Sequence, residues 1–290
     1  MISQNSPKAI QLGLQAYVEM DHQEDLHRYL MGMLVNAMQS EDGGSRGIGL
    51  AIAKKLASRG YNIVIGAKTV NPQANLEGTI YTAAEELEKA GGKALPLQLD
   101  IRDEDMVKEA IEKAAAHFGG IDVVINNASA ISLTSIEQTS MKRYDLMMDI
   151  NVRGTFMVSK YAIPYLKNGN NPHILTLSPP VPMKNHWFTN HTAYTMSKYA
   201  MSLTVIGQSQ DLASYGIASN ALWPKTTIAT AAVRNLLGGE EMVKVSRTPE
   251  IMADAADIIL HRDSHSFSGN FVIDESILME EGMTDFKKYR

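Results

Sequence analysis

A glycine-rich turn, Gly43-Gly44-Ser45-Arg46-Gly47-Ile48-Gly49, leads directly into a helical pattern that ends at Gly60. The pattern predicts a helix over 48–59, and Asn62-Ile63-Val64-Ile65 then predicts a buried strand. Glycines allow close approach to the backbone, and the free N–H groups and dipole of a helix start favour an anionic group such as a pyrophosphate. Alone, the turn is weak evidence, because an ordinary loop before a helix has similar spacing.

The alternation of helices and strands continues to the end of the chain. Helical stretches are predicted at 82–90, 103–118, 140–166 and 192–215. Short apolar runs lie between and after them, at 94–99, 122–125, 173–177, 218–222 and 270–273. This order predicts an α/β fold, a Rossmann-type doubly wound parallel sheet with helices on both faces.

The first 42 residues differ from the rest. Ser6-Pro7 is typical of a helix start, and five apolar residues follow at helical spacing: Leu26, Tyr29, Leu30, Met33 and Leu34. We predict a helical N-terminal extension over 1–42 and one Rossmann-type domain over 43–290, since no Pro-, Gly- or Ser-rich linker divides the chain.

Composition excludes several classes of function. A net charge of -5 gives no global attraction to nucleic acid or to anionic membranes. The absence of cysteine excludes disulfides, thiol nucleophiles and Cys-ligated metal sites, and we expect no metal. No apolar run is long enough for a membrane span, and the N-terminus lacks the pattern of a secretory signal. We therefore expect a cytoplasmic protein.

Tyr194 and Lys198 are the leading catalytic candidates. They lie four residues apart on a predicted helix, so both side chains can face one site. A free tyrosine has a pKa near ~10, and a nearby ammonium lowers it. We expect Lys198 to lower the pKa of Tyr194 enough for general acid/base catalysis.

The order of these motifs resembles the short-chain dehydrogenase/reductase family over 43–290. The glycine turn, Asn126-Asn127-Ala128-Ser129, Asn151 and Tyr194-x-x-x-Lys198 follow one another as in that family. Four segments are similar to the hydroxysteroid dehydrogenase-like group: 62–69, 131–134, 221–226 and 269–275.

The resemblance implies a role for each catalytic candidate. Tyr194 would exchange a proton with the substrate oxygen, Lys198 would hold the nicotinamide ribose, and Asn151 would hold a water that relays protons. The family serine would fall at Val181, and Ser178 is the best candidate to polarise the substrate carbonyl. A proline-rich insert after Ser178 could displace it, and His191 or Thr192 remain alternatives.

The resemblance also implies a nicotinamide cofactor. The expected cofactor-binding residues are Gly43, Ser45, Arg46, Gly47, Ile48, Gly49, Lys68, Asp100, Asn126, Ala128, Tyr194 and Lys198. Sites specific for NAD have an acidic residue at the end of the second strand, where this chain has Ala67. Arg46 and Lys68 could pair with a 2′-phosphate, which favours NADP (NADPH); alternatively, both are solvated surface charges.

The approach to the glycine turn departs from the family. The residues before it, 36–42, do not resemble a central strand, and Glu41 and Asp42 place carboxylates near the expected pyrophosphate. Three alternatives are open: the first strand is missing, is replaced by helix, or is supplied by Met33-Leu34-Val35 through a longer loop.

The substrate side is apolar. Met183, Trp187, Phe188 and Trp223 flank the expected site, and 226–239 resembles the family's mobile substrate lid. A lipophilic carbonyl or alcohol and a homo-oligomer are therefore expected, although each apolar residue is also explained by core packing. A rival hypothesis is a dehydrogenase-shaped scaffold that has lost its cofactor, and another makes 1–42 a partner-docking arm through Leu30 and Leu34.

Overall fold

The computed structural model describes residues 32–36, 47–68, 70–71 and 78–290. Within them, seven parallel strands form one sheet in the order β3-β2-β1-β4-β5-β6-β7. Their bounds are β1 Gly32–Asn36, β2 Asn62–Ala67, β3 Lys93–Gln98, β4 Ile121–Asn126, β5 His173–Thr176, β6 Ala218–Trp223 and β7 Phe271–Ile273. This is the order of a doubly wound dinucleotide-binding sheet, and its switch point lies between β1 and β4.

Helices cover both faces of the sheet. They are α1 Gly47–Ala57, α2 Ile80–Lys89, α3 Glu104–Phe118, α4 Met141–Met147, α5 Thr155–Leu166, α6 Thr192–Asp211, α7 Gly239–Val245, α8 Glu250–His261 and α9 Asp274–Glu280. Helices α1, α2, α8 and α9 pack on one face, and α3, α5 and α6 on the other. The predicted fold class is confirmed.

The two cores follow from the alternation of side chains along each strand. In β4, Val123 and Ile125 belong to one core and Val124 belongs to the other. All six residues of β4 are buried, as expected for a strand covered on both faces.

Of the three alternatives for the first strand, the structure shows the one in which Met33-Leu34-Val35 supplies it. Residues Gly32–Asn36 form β1, which pairs with β2 and β4 in the middle of the sheet. The predicted helix at Met33 and Leu34 is therefore wrong, because pairing with β2 and β4 places these residues in a strand. The rest of the predicted extension and the carboxylates of Glu41 and Asp42 lie outside the described residues.

One long helical stretch carries the predicted segment 140–166. It begins at the cap residue Ser140, passes through a π-helical turn over Met148–Gly154, and continues as α5. Such wide turns occur often at functional sites, because they redirect a side chain out of the regular helical ladder.

No helix in the described part of the chain combines the length and apolar character that crossing a membrane requires.

Candidate active site

The predicted site residues that the structure describes lie on elements that meet at one edge of the sheet. The start of α1 and the loops after β4, β5 and β6 all lie at the carboxyl ends of parallel strands. In open α/β sheets this edge, at the switch point of strand order, is where ligands bind.

Two glycines at the start of α1 pack too closely against their neighbours to carry a side chain. A Cβ added to Gly49 would lie 2.7 Å from Nδ2 of Asn127, and Gly47 has a φ of +60°. At Gly47 an added Cβ would lie 3.2 Å from Cγ2 of Thr230. Gly47, Ile48 and Gly49 thus form a close-packed helix start, whereas Gly43, Ser45 and Arg46 lie outside the described residues.

The loop after β4 is buried and held by side-chain hydrogen bonds. Just before it, Nδ2 of Asn126 donates to Oγ of Ser159 at 3.0 Å, which fixes the carboxyl end of β4 to α5. Ala128 is buried beside it. This segment therefore presents a fixed wall to the sheet edge rather than a mobile loop.

Asn151 lies in the π-helical turn and holds the same loop to α6. Its Oδ1 accepts from the Ala130 backbone N–H at 2.6 Å, and its Nδ2 donates to the Ala130 carbonyl at 2.9 Å. The same Nδ2 contacts Oγ of Ser197 at 2.8 Å, and Ser197 in turn donates to the Tyr194 carbonyl at 2.8 Å. Asn151 therefore orients the turn of α6 that carries Tyr194.

Tyr194 is partly buried, and its environment favours the protonated phenol. Desolvation raises the pKa of Tyr194 to about 12, while a hydrogen bond with the Ser129 side chain acts to lower that pKa. Ser129 was not singled out in the sequence. The signal was its place at the end of the Asn-Asn-Ala-Ser run, at the carboxyl end of β4.

Lys198 is buried without a carboxylate partner among the described residues. Its Nζ donates to the Leu177 carbonyl at 2.6 Å and lies 5.4 Å from the centre of the Trp223 ring. Burial lowers the pKa of Lys198 to about 7. The amine therefore loses its proton far more readily than an exposed lysine does.

The expectation that Lys198 lowers the pKa of Tyr194 does not match this geometry. The two residues share α6 as predicted, but desolvation dominates both groups and moves their pKa values in opposite directions. The physical reason is that burial disfavours the charged form of each group, the phenolate of Tyr194 and the ammonium of Lys198.

The pKa of Lys198 has a consequence for stability. Because its folded value lies near 7 and its ordinary value is 10.5, the unfolded chain binds more protons between these pH values. We expect the free energy of unfolding to rise from pH 7 to pH 10 by up to about 3 kcal/mol from this residue. In Lys198→Met this rise should disappear, as measured by denaturant unfolding across that range.

A matched control is Lys89→Met, which removes an exposed lysine from the end of α2. It should keep the wild-type pH slope. Identical slopes in Lys198→Met and wild type would contradict the assigned burial of the amine.

Ser178 lies directly after the carbonyl that Lys198 contacts. It is 1% exposed, and within the described part of the chain its Oγ has no hydrogen-bond partner. Since buried hydroxyls are nearly always paired, an unpaired one at this edge is a candidate to bind a ligand oxygen. The proline-rich insert does not carry Ser178 away, because Ser202 and Tyr199 of α6 donate to the carbonyls of Pro179 and Pro182 at 2.6 and 2.8 Å.

The two alternatives to Ser178, His191 and Thr192, form hydrogen bonds with neighbouring residues. Nδ1 of His191 contacts Oγ1 of Thr195 at 2.9 Å, and Oγ1 of Thr192 donates to the Phe188 carbonyl at 3.0 Å. Both side chains secure the turn before α6, which is a structural task.

A model of the short chain dehydrogenase family matches residues 42–240, more than half of the chain. The chain belongs to the short-chain dehydrogenase family. Hydroxysteroid dehydrogenase-like protein 2 of Danio rerio is 56% identical over 247 residues, which cover 85% of this chain and 59% of that protein. The chain thus spans about three-fifths of the length of this curated relative, and the resemblance to the hydroxysteroid dehydrogenase-like group is confirmed.

Solved structures of the family agree with this fold. A short-chain dehydrogenase of Mycobacterium thermoresistibile is 51% identical, with a TM-score of 0.82 over 89% of this chain and 90% of that one. A blue fluorescent protein from a metagenomic library, in complex with NADPH, is 25% identical, with a TM-score of 0.68 over 84% of this chain and 95% of that one.

Charged residues meet at the carboxyl ends of β2 and β3. Asp100 accepts from Arg102 through both carboxylate oxygens, and Nζ of Lys68 lies 3.4 Å from Oδ2 of the same carboxylate. Asp103, rather than Asp100, caps the following helix. Two cations, Lys68 and Arg102, thus flank one carboxylate at this position, and Asp149 also interacts with Arg102.

The four apolar residues expected near the site are divided between packed and exposed positions. Phe188 packs edge-on against Tyr199, and Trp223 lies against Lys198. Met183 and Trp187 are exposed, at 79% and 47%. The first pair supports the site, and the second pair is free to contact another molecule.

A nicotinamide dinucleotide fits the groups at this edge. Gly47 and Gly49 place no side chain at the start of α1, and Nδ2 of Asn127 is buried without a hydrogen-bond partner among the described groups. An unpaired amide donor beside a helix N-terminus matches the anionic, hydrogen-bonding character of a dinucleotide. The residues present therefore suit such a cofactor.

Proposed function

We propose that the chain transfers hydride between NADP(H) and a lipophilic carbonyl or alcohol substrate, with Tyr194 as general acid/base. The buried Ser178 hydroxyl, which no described group pairs, carries this proposal. Ser178 follows Leu177, whose carbonyl accepts from Lys198. Lys198 lies one helical turn from Tyr194 on α6. A substrate oxygen is the acceptor that such a hydroxyl lacks.

Each side chain then has a separate task. The bound cofactor supplies or accepts the hydride. In reduction, Tyr194 donates its hydroxyl proton to the substrate oxygen, and Ser178 donates a hydrogen bond to the same atom. The ammonium form of Lys198 adds a positive charge to the site, and its pKa of about 7 allows this form near neutral pH. Asn151 orients the loop and the helix that carry these groups.

The cofactor assignment rests on charge at the sheet edge. Gly43, Ser45, Arg46, Gly47, Ile48 and Gly49 would surround the pyrophosphate, and Asn126 and Ala128 would line the adenosine ribose. Asp100 would face the adenine. Ala67 places no carboxylate against a 2′-phosphate, and Lys68 supplies an exposed ammonium near it.

The experiment follows the oxidation of NADPH and of NADH with decanal as the probe of a lipophilic carbonyl. Wild type should prefer NADPH. Lys68→Asp should shift the ratio of kcat/KM toward NADH by about tenfold or more, because a carboxylate repels a 2′-phosphate and can bind a 2′-hydroxyl.

Lys89→Asp is the charge-matched control, since Lys89 is exposed at the end of α2 away from the ribose position. Its cofactor preference should stay that of wild type. Preference unchanged in Lys68→Asp would contradict NADP selection by this residue, and no decanal-dependent oxidation of either cofactor would contradict the proposed reaction.

We also propose a homo-oligomer built on α5 and α6. Large apolar side chains on these helices are exposed: Phe156, Met196, Leu203 and Ile206. Contact with a second copy would remove them from water. We also propose the domain division at 42/43. The sheet of the second domain then takes its strand β1 from residues that precede this division.

A further inference from the structure

The segment 226–246, here named the lid, leaves the sheet after β6 and returns before α8. Its two ends are joined by backbone hydrogen bonds, from Arg247 N–H to the Thr227 carbonyl at 3.0 Å and from Ala229 N–H to the Arg247 carbonyl at 2.8 Å. The hydroxyls of Thr227 and Ser246 also contact each other at 2.8 Å. The lid is therefore a closed loop on a narrow stem.

One carboxylate, on the first turn of α9, holds both sides of this stem. Glu275 is 6% exposed. Its Oε2 accepts from Nζ of Lys225 at 2.7 Å, just before the lid, and its Oε1 accepts from Nη2 of Arg247 at 2.6 Å, just after it. The two cations also lower the pKa of Glu275. A buried carboxylate with two ionic partners fixes the geometry of both.

The lid contacts the expected cofactor site near its beginning. Thr230 lies against Gly47, close enough that an added Cβ on that glycine would be 3.2 Å from its Cγ2. Ile228 and Val233 are buried on either side of Thr230. The stem thus sets the position of the part of the lid that covers the start of α1.

We propose that Glu275 is a positioning residue that joins both ends of the lid and keeps it against the start of α1, so that bound NADPH dissociates slowly. The inference rests on the proposed function, because it requires NADPH at the start of α1. Glu275 acts through Lys225 and Arg247 and has no part in the reaction itself.

The informative substitution is Glu275→Gln, which keeps the shape of the side chain and removes its charge. The stem retains its backbone bonds and the contact between Lys225 N–H and Oδ1 of Asp274 at 2.9 Å, so the chain should still fold. Loss of the two ion pairs should loosen the lid and raise the NADPH dissociation rate about tenfold, since weakened contacts act mainly on dissociation.

Two readouts test this expectation. Stopped-flow fluorescence gives the NADPH dissociation rate, and limited trypsin digestion reports opening of the lid through cleavage after Arg234 and Lys244. Both should increase in Glu275→Gln. Glu281→Gln is the matched control, because it also breaks an ion pair, with Arg262, at the end of the same helix, and both readouts should stay at the wild-type level.

Lys225→Met provides a second variant at a side chain that is 57% exposed. If Lys225 and Glu275 act as one unit, the double variant should dissociate NADPH no faster than Glu275→Gln alone. Wild-type dissociation and digestion rates in Glu275→Gln would overturn the inference while leaving the proposed function intact. Failure of wild type itself to bind NADPH would overturn both proposals.

Discussion

Tyr194→Phe is expected to lower kcat for NADPH-dependent reduction of decanal by about 10³-fold. The substitution removes the hydroxyl that delivers the proton to the substrate oxygen, and general acid catalysis contributes roughly 10²–10⁴-fold. The affinity for NADPH should stay within about twofold, because the phenol acts on substrate and its bond in the structure is to Ser129. Steady-state kinetics and fluorescence titration measure the two quantities.

Tyr165→Phe is a matched control. It removes a tyrosine hydroxyl near the end of α5, which approaches the opposite edge of the sheet. Wild-type turnover is expected there. Turnover retained in Tyr194→Phe would remove Tyr194 from the reaction, whatever the behaviour of the control.

Ser178→Ala should separate activity from stability. Since the described residues offer no partner for its Oγ, deleting the hydroxyl leaves no protein group newly unpaired, and the free energy of unfolding should be unchanged or higher. The loss of a donor to the substrate oxygen should lower kcat by about 10²-fold. Denaturant unfolding and decanal turnover measure the two effects.

Ser209→Ala gives the opposite pattern. Ser209 is also buried, but its Oγ donates to the Ile206 carbonyl at 2.8 Å near the end of α6. Its replacement should cost about 1 kcal/mol of stability and leave turnover unchanged. A large stability loss in Ser178→Ala would show that its hydroxyl has a structural partner.

The sequence predicts much of the fold because its periodicities are local. Strands such as β4, the helix ends at Asp103 and Gly119, and the shared face of Tyr194 and Lys198 depend on a few neighbouring residues. Ordered motifs along the chain then identify the sheet edge. These features need no knowledge of distant contacts.

Other features depend on contacts between distant segments. The apolar run Met33-Leu34-Val35 suits a helix or a strand, and its pairing with β2 and β4 decides between them. The pKa values of Tyr194 and Lys198 depend on burial by several elements, which overrides the helical spacing. Glu275 joins residues 50 and 28 positions away, so no local pattern reveals its role.

The central claim is that the start of α1 and the adjoining loops bind a reduced nicotinamide dinucleotide with a preference for NADPH. The direct measurement is titration of the purified protein with NADPH and with NADH, followed by nicotinamide fluorescence. We predict saturable binding of NADPH at lower concentration than NADH. No binding of either cofactor at millimolar concentration would contradict the claim and favour a dehydrogenase-shaped scaffold.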